Sequence, residues 1–326
     1  MRLLWIGFFL SLIISIAIGR YAIDPLTQIK ILLNQLGIGR FDLPREAVLV
    51  MVNIRLPRLL GGMLVGLALS ASGCAFQSLF QNPMVSPSIL GASAGAGFGA
   101  AIGILIGLSG FMISLSAFVF GLIAVLLCIL ISRQFRFDVT LGLILTGMIV
   151  SSVFTSGISF IKLIADQLNT LPAITYWLMG TFSGMNYQSV VLAAGPILIS
   201  FLGLYLLRWR INLLAMGAEE AQTMGVPVKR LRLVVMVFAT VMTAASVSIS
   251  GMIGWVGLII PHFARMLVGS DLRVTLPASA LLGSTFLNLV DTISRSVHTS
   301  EIPIGILTSL VGAPIFLLLL QKARRQ

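Results

Sequence analysis

The chain has 326 residues, 58% of them hydrophobic and only 10% charged, with a mean hydropathy of +1.07. Soluble chains carry about 25% charged residues, so a soluble catalytic domain is excluded and a polytopic helical membrane protein is indicated. The formal charge of +11 comes from 21 Lys and Arg against 10 Asp and Glu; in such a chain it orients spans in the bilayer rather than recruiting nucleic acid.

Apolar runs predict ten spans, at roughly 3–19, 57–80, 91–108, 112–132, 140–161, 190–207, 233–250, 252–268, 274–294 and 303–320. The first imitates a signal peptide behind Met1-Arg2, but its apolar run reaches Ile18 and exceeds the usual core of about 7–15 residues. Residues 21–56 follow as an outer segment. A helix is expected there from Pro25 to Leu36, then a break at Gly37-Ile38-Gly39, then Arg40, Arg45, Arg55 and Arg58. The second and third spans are rich in small residues such as Gly61, Gly66, Gly91, Gly95 and Gly99, which let helices approach closely. The run Gly91–Gly99 lacks both a Gly-Lys-Ser/Thr ending and a preceding strand, so it is not a phosphate loop. Cys74 and Cys128 fall inside spans and are expected to pack as small residues, without disulfide or metal roles.

Between the sixth and seventh spans lies the longest polar interval, 211–231. Leu213, Leu214, Met216, Ala221, Met224 and Val226 recur there at roughly helical spacing, with Glu219 and Glu220 among them. One or two short helices along the membrane surface are expected, serving either as an amphipathic loop in the headgroups or as a docking surface for a soluble partner. Only Ser250-Gly251 separates the seventh and eighth spans, so one long bent helix is the alternative. Ser70-Ala71-Ser72-Gly73 and Ser248-Ile249-Ser250-Gly251 each precede a proline by the same interval, Pro83 and Pro261, which hints at an internal repeat.

With the amino terminus inside, 13 of the 21 basic residues fall on the cytoplasmic side, which favours both termini in the cytoplasm. Outside fall Arg20, Lys30, Arg40, Arg45, Arg55, Arg58, Lys162 and Arg295. Basic residues on that side invite an acidic partner, although long loops also cross regardless of charge.

Chemistry within the chain is not expected. Walker motifs, catalytic triads and paired carboxylates are missing from the sequence, and His262 and His298 have no second ligand at metal-site spacing. The chain is therefore read as no enzyme, with no catalytic or metal residues. The carboxylates sit at loops or span ends, except Asp291, which precedes Arg295 by four residues and can pair with it. Ion-coupled carriers usually keep an ionisable group near the midplane. A secondary transporter acting alone is thus the alternative reading, and a purely structural subunit a third.

Five stretches together resemble one family: Asn53–Arg58, Gln77–Pro83, Ser88–Ala96, Gly254–Arg265 and Glu301–Pro314. They occur in the order seen in the permeases of ABC importers for ferric siderophores, haem and cobalamin. Asp271-Leu272-Arg273 departs from the pattern, since many members carry a histidine between acid and base. The resemblance implies an all-α type II ABC importer permease fold, one transmembrane domain over 1–326. It implies a homodimer in a bacterial or archaeal cytoplasmic membrane, with its pathway at the subunit interface and lipid around it. It also implies two cytoplasmic ATPase subunits that use ATP and Mg, no cofactor on this chain, no nucleic acid, and a soluble substrate-binding protein outside. Met216, Gly217, Ala218, Glu219, Glu220, Ala221, Met224 and Gly225 are similar to the segment that seats in the ATPase. Arg55, Arg58 and Arg295 match binding-protein docking positions, while Asn82, Met84, Val139 and Thr140 match a cytoplasmic gate. A ferric siderophore is the first expectation for substrate, then haem or cobalamin, then an oxyanion such as molybdate.

Overall fold

Each expected span is matched by a helix. In the computed structural model, which describes residues 1–39, 41–134, 139–214, 216–298 and 300–323, the spans are α1 (Arg2–Ala17), α4 (Leu56–Leu79), α5 (Ala92–Leu105), α6 (Gly110–Ser132), α7 (Val139–Ile164), α9 (Tyr187–Leu214), α11 (Val228–Ser250), α12 (Val256–Val268), α13 (Leu272–Ser296) and α14 (Ile304–Ala323). Shorter helices fill the connections: α2 (Pro25–Gln35), α3 (Arg45–Leu49), α8 (Thr170–Leu178) and α10 (Ala218–Thr223). Among the described residues there is no strand. Of the basic residues used to set the topology, Arg40, Arg136, Arg324 and Arg325 lie outside the described residues.

The outer segment folds as its sequence indicates. Asp24 caps α2 by accepting from the backbone N–H of Leu26 and Thr27, and Pro25 occupies the first turn, where its missing N–H costs nothing. Ile31 then seals against Ile23, Ala47 and Met51. From α3 the chain runs through a π-helical turn, Val50–Arg55, directly into α4.

Helix α4 is the axis of the bundle and packs against α9, α11, α12 and, most extensively, α13. Gly66 and Gly283 face each other so closely that a Cβ on either would strike the backbone of the other. In a bilayer, packing of this kind replaces the hydrophobic drive between helices. Ser284 adds a hydrogen bond from its hydroxyl to the Met63 carbonyl at 2.8 Å. Cys74 and Cys128 are free thiols, both fully buried.

The seventh and eighth spans are two helices, not one bent helix. Gly251 (φ 69°) ends α11 and Trp255 (φ 69°) starts α12. A non-glycine residue in that region is costly, by about 1–3 kcal/mol, unless its surroundings hold it. The Trp255 ring packs on Phe316 at 6.0 Å. At this break Thr181 N–H donates to Ser250 O at 2.8 Å, and beside it α14 starts on the end of α8, with Ile304 N–H donating to Gly180 O at 2.8 Å and Gly305 N–H to Met179 O at 3.1 Å. The residues that match in spacing sit in different local settings. Gly73 lies inside α4 whereas Gly251 ends α11, and Pro83 lies in a loop whereas Pro261 lies inside α12.

Candidate functional site

At the cytoplasmic end of the expected topology, the 211–231 interval contains one short helix, α10; Leu213 and Leu214 belong to the last turn of α9. Gly217 precedes α10 at φ 143°, and the Glu220 carboxylate occupies the space a side chain there would need. Glu219 and Glu220 stand in the first turn, where the positive end of the helix dipole favours them. Ala221 and Val226 turn inward and pack with Leu213, Leu214, Val228 and Leu231. Met216 is 66% and Met224 61% exposed, and Glu219 and Glu220 are exposed beside them. The result is a short element fixed from below that presents methionine and acid outward.

The loop from Phe80 to Gly91 lies beside it. Asn82 accepts from the Met84 N–H at 2.9 Å, and both side chains are exposed, while Val85 and Leu90 are buried. Val139 and Thr140 open α7, and their side chains lie outside the described residues. Two glutamines tie this loop to its neighbours. The Gln81 amide donates to the Leu214 carbonyl at 2.8 Å, in the final turn of α9 ahead of α10. Buried Gln77 donates towards the carbonyls of Val85, Gly257 and Leu258 and accepts from Arg265 at 2.6 Å. The sequence marks Gln77–Pro83 as a family stretch but cannot show these bonds, because most of their partners lie far away in the chain.

At the opposite end, Arg55, Arg58 and Arg295 do come together, but turned inward. They are only 5%, 5% and 8% exposed, which corrects the expectation of an outward-facing basic surface. The physical reason is the company they keep. Arg58 pairs with Asp291 at 2.7 Å and with Glu301 at 2.8 Å, and Arg295 pairs with Asp291 at 3.3 Å, as its i, i+4 spacing suggested. Arg55 donates to the carbonyls of Ile16 and Tyr21, and Arg295 donates to that of Ser15. The last carbonyls of α1 have no partner within their helix, and these two guanidinium groups satisfy them. Arg20 completes the rim, donating to the carbonyls of Arg295 and His298, both at 3.0 Å.

Helix α7 carries a feature the sequence reading did not single out. Its inner face, including Val150, Phe154 and Ile158, is buried, and α7 packs against α5 and α6. Its opposite face exposes Ser152, Thr155, Ser156 and Ser159 between exposed apolar residues such as Met148 and Leu163. Four hydroxyls along the outside of a 26-residue apolar helix are poorly matched to lipid tails. Burial alone distinguishes the two faces, so sequence could not have assigned them.

Comparison with known proteins places this architecture. Residues 6–322 match the model of the FecCD transport family. The chain is 39% identical over 316 residues to a molybdate import system permease protein of Haemophilus influenzae, covering 97% of this chain and 93% of that protein. It is 34% identical over 320 residues to an Fe(3+)-citrate import system permease protein of Bacillus subtilis, covering 96% and 92%. A solved structure described as an inward-facing metal-chelate type ABC transporter superposes with a TM-score of 0.87 at 38% identity, over 98% of this chain and 97% of that one.

Proposed function

This chain belongs to the FecCD transport family, and on that premise we propose how it works as a permease subunit of an ABC importer. Two copies enclose the pathway between them, with the hydroxyl face of α7 lining it. That stripe is the observation that carries the reading: polar groups in the depth of the bilayer belong against water or a partner subunit, and α7 presents them away from its own fold. The lining carries hydroxyl and apolar groups without charge, so a soluble binding protein selects the cargo and the pathway passes it. Metal chelates are the substrate class, a ferric siderophore first, with haem, cobalamin or an oxyanion as the other candidates.

Hydrolysis of ATP with Mg resides on separate cytoplasmic subunits. Their closure acts on α10, anchored by buried Ala221 and, just after it, Val226, and Met216, Glu219, Glu220 and Met224 in and beside it form the contact. The Gln81–Leu214 bond passes the movement to the loop bearing Asn82 and Met84. A switch of this kind needs one element that both events bias, and this loop is that element. On the outer face, Arg55, Arg58 and Arg295 shape the docking rim from beneath rather than touch the binding protein. Both termini then lie in the cytoplasm.

Reconstitution into proteoliposomes with a candidate ATPase and binding protein tests this. Labelled chelate should accumulate only with both partners and ATP. Accumulation by the chain alone under an ion gradient would overturn the reading in favour of a secondary carrier.

A further inference from the structure

On the lipid-facing side of the bundle, α1, α4, α9 and α13 leave a groove of about 580 Å³ between them. Its walls are apolar, with Trp5 and Phe8 from α1, Leu64 from α4, and Leu198 and Phe201 from α9. The α9 wall runs from Val190 to Phe201, about 16 Å at 1.5 Å per residue, about half the thickness of a hydrocarbon core of about 30 Å. The groove is lined by helices other than α7, which packs mainly against α5 and α6. A second copy meeting this chain along α7 therefore leaves it open to lipid.

Two of its walls carry a basic residue just beyond the lining, Arg2 beside Met1 on α1 and Arg208 about two turns after Phe201 on α9. The α9 stripe continues from Phe201 to Tyr205, whose rings lie 6.2 Å apart, and on to Arg208, whose guanidinium sits 3.6 Å over the Tyr205 ring. Arg208 spends one donor group on the Tyr205 carbonyl at 2.6 Å and keeps others. Arg2 is exposed next to Met1, itself part of the lining. At the other end of the bundle, Arg55, Arg58 and Arg295 are already committed to carbonyls and carboxylates.

We propose that this groove binds an anionic glycerophospholipid of the leaflet on the amino-terminal side, its acyl chain along Leu198 and Phe201 and its phosphate on Arg208 with Arg2. An acyl chain fits a wall without polar groups, and a phosphate fits a guanidinium held in place by an aromatic ring. The lipid fills the gap between α1 and α9 and holds α1 to the bundle.

The purified permease, reconstituted into nanodiscs of mixed phosphatidylglycerol and phosphatidylcholine, then extracted in mild detergent, gives a direct test by mass spectrometry of retained lipid. Wild type should retain phosphatidylglycerol preferentially. Arg208→Gln should retain it about fivefold less, as expected for one lost cation near the headgroups. Ala194→Phe, which fills the groove and leaves Arg2 and Arg208, should lower retention while the protein stays monodisperse. Equal retention of both lipids, unchanged in both variants, would identify ordinary boundary lipid and overturn the site. Cross-linking of Leu198→Cys between two copies would show that the groove is a protein interface, and would also overturn it.

Discussion

The side-chain amide of Gln81 donates to the main-chain carbonyl of Leu214 at 2.8 Å, across 133 positions of sequence. One partner begins the loop with Asn82 and Met84, and the other ends the helix that leads into α10. Gln81 itself is held at φ 50°, an uncommon conformation for a residue other than glycine. The bond joins the end of α9, ahead of α10, directly to the loop bearing Asn82 and Met84.

Gln81→Ala should therefore uncouple. A neutral hydrogen bond is worth about 0.5–1.5 kcal/mol, so chelate uptake per ATP hydrolysed should fall by roughly two- to tenfold with hydrolysis nearly unchanged. Gln81→Glu keeps the length but loses the donor and should resemble alanine. The idea fails if uptake and hydrolysis fall together in proportion.

Reversing charge at the exposed acids, Glu219→Lys with Glu220→Lys, should weaken association with the ATPase while leaving the fold intact. Both side chains are exposed, and Ala221 beneath them is untouched. The loss should be larger at low ionic strength, since exposed charges are screened over about 10 Å at 0.1 M salt. Co-purification at wild-type levels in low salt would count against α10 as the contact.

At the other end, Arg58→Met should behave as a stability variant. It leaves Asp291 and Glu301 without their shared partner, and breaking a buried pair costs about 3–5 kcal/mol. The melting temperature should drop whatever the salt concentration. A normal melting temperature with a salt-dependent fall in binding-protein association rate would instead restore direct docking by Arg58.

Cysteine labelling can test the pathway face. Both native thiols, Cys74 and Cys128, are fully buried, so background should be low. In the assembled transporter, Ser156→Cys should react with a membrane-impermeant maleimide when the pathway is open to that side. Val191→Cys, 71% exposed on α9, faces lipid and should not. Equal labelling at both sites would remove the assignment of α7 to the pathway.

Much of this architecture was legible in the sequence because the bilayer imposes few choices. Long apolar runs must become helices, and all ten expected spans fall on helices with ends within several residues, six of them long and apolar enough to cross a membrane. The Asp24-Pro25 start of α2 and the Asp291–Arg295 pair were local signals, readable at i, i+4 or less. What escaped was long-range. Arg58 looked like a surface charge until Asp291 and Glu301, more than 230 positions away, were folded against it. The hydroxyls of α7 and the glutamine bonds at the inner end likewise take their meaning from which face is turned where.

The arginine caps on α1 also set an order of assembly. Arg295 reaches back 280 positions to the Ser15 carbonyl, so the end of the first span cannot be satisfied when that span is made. At a synthesis rate of about 5–20 residues per second, α1 waits roughly 15–60 s for its partner. During that time its outer carbonyls depend on water, headgroups or Arg55. A chain terminated before α13 should therefore hold its first helix loosely, and quality-control proteases have their longest opportunity there.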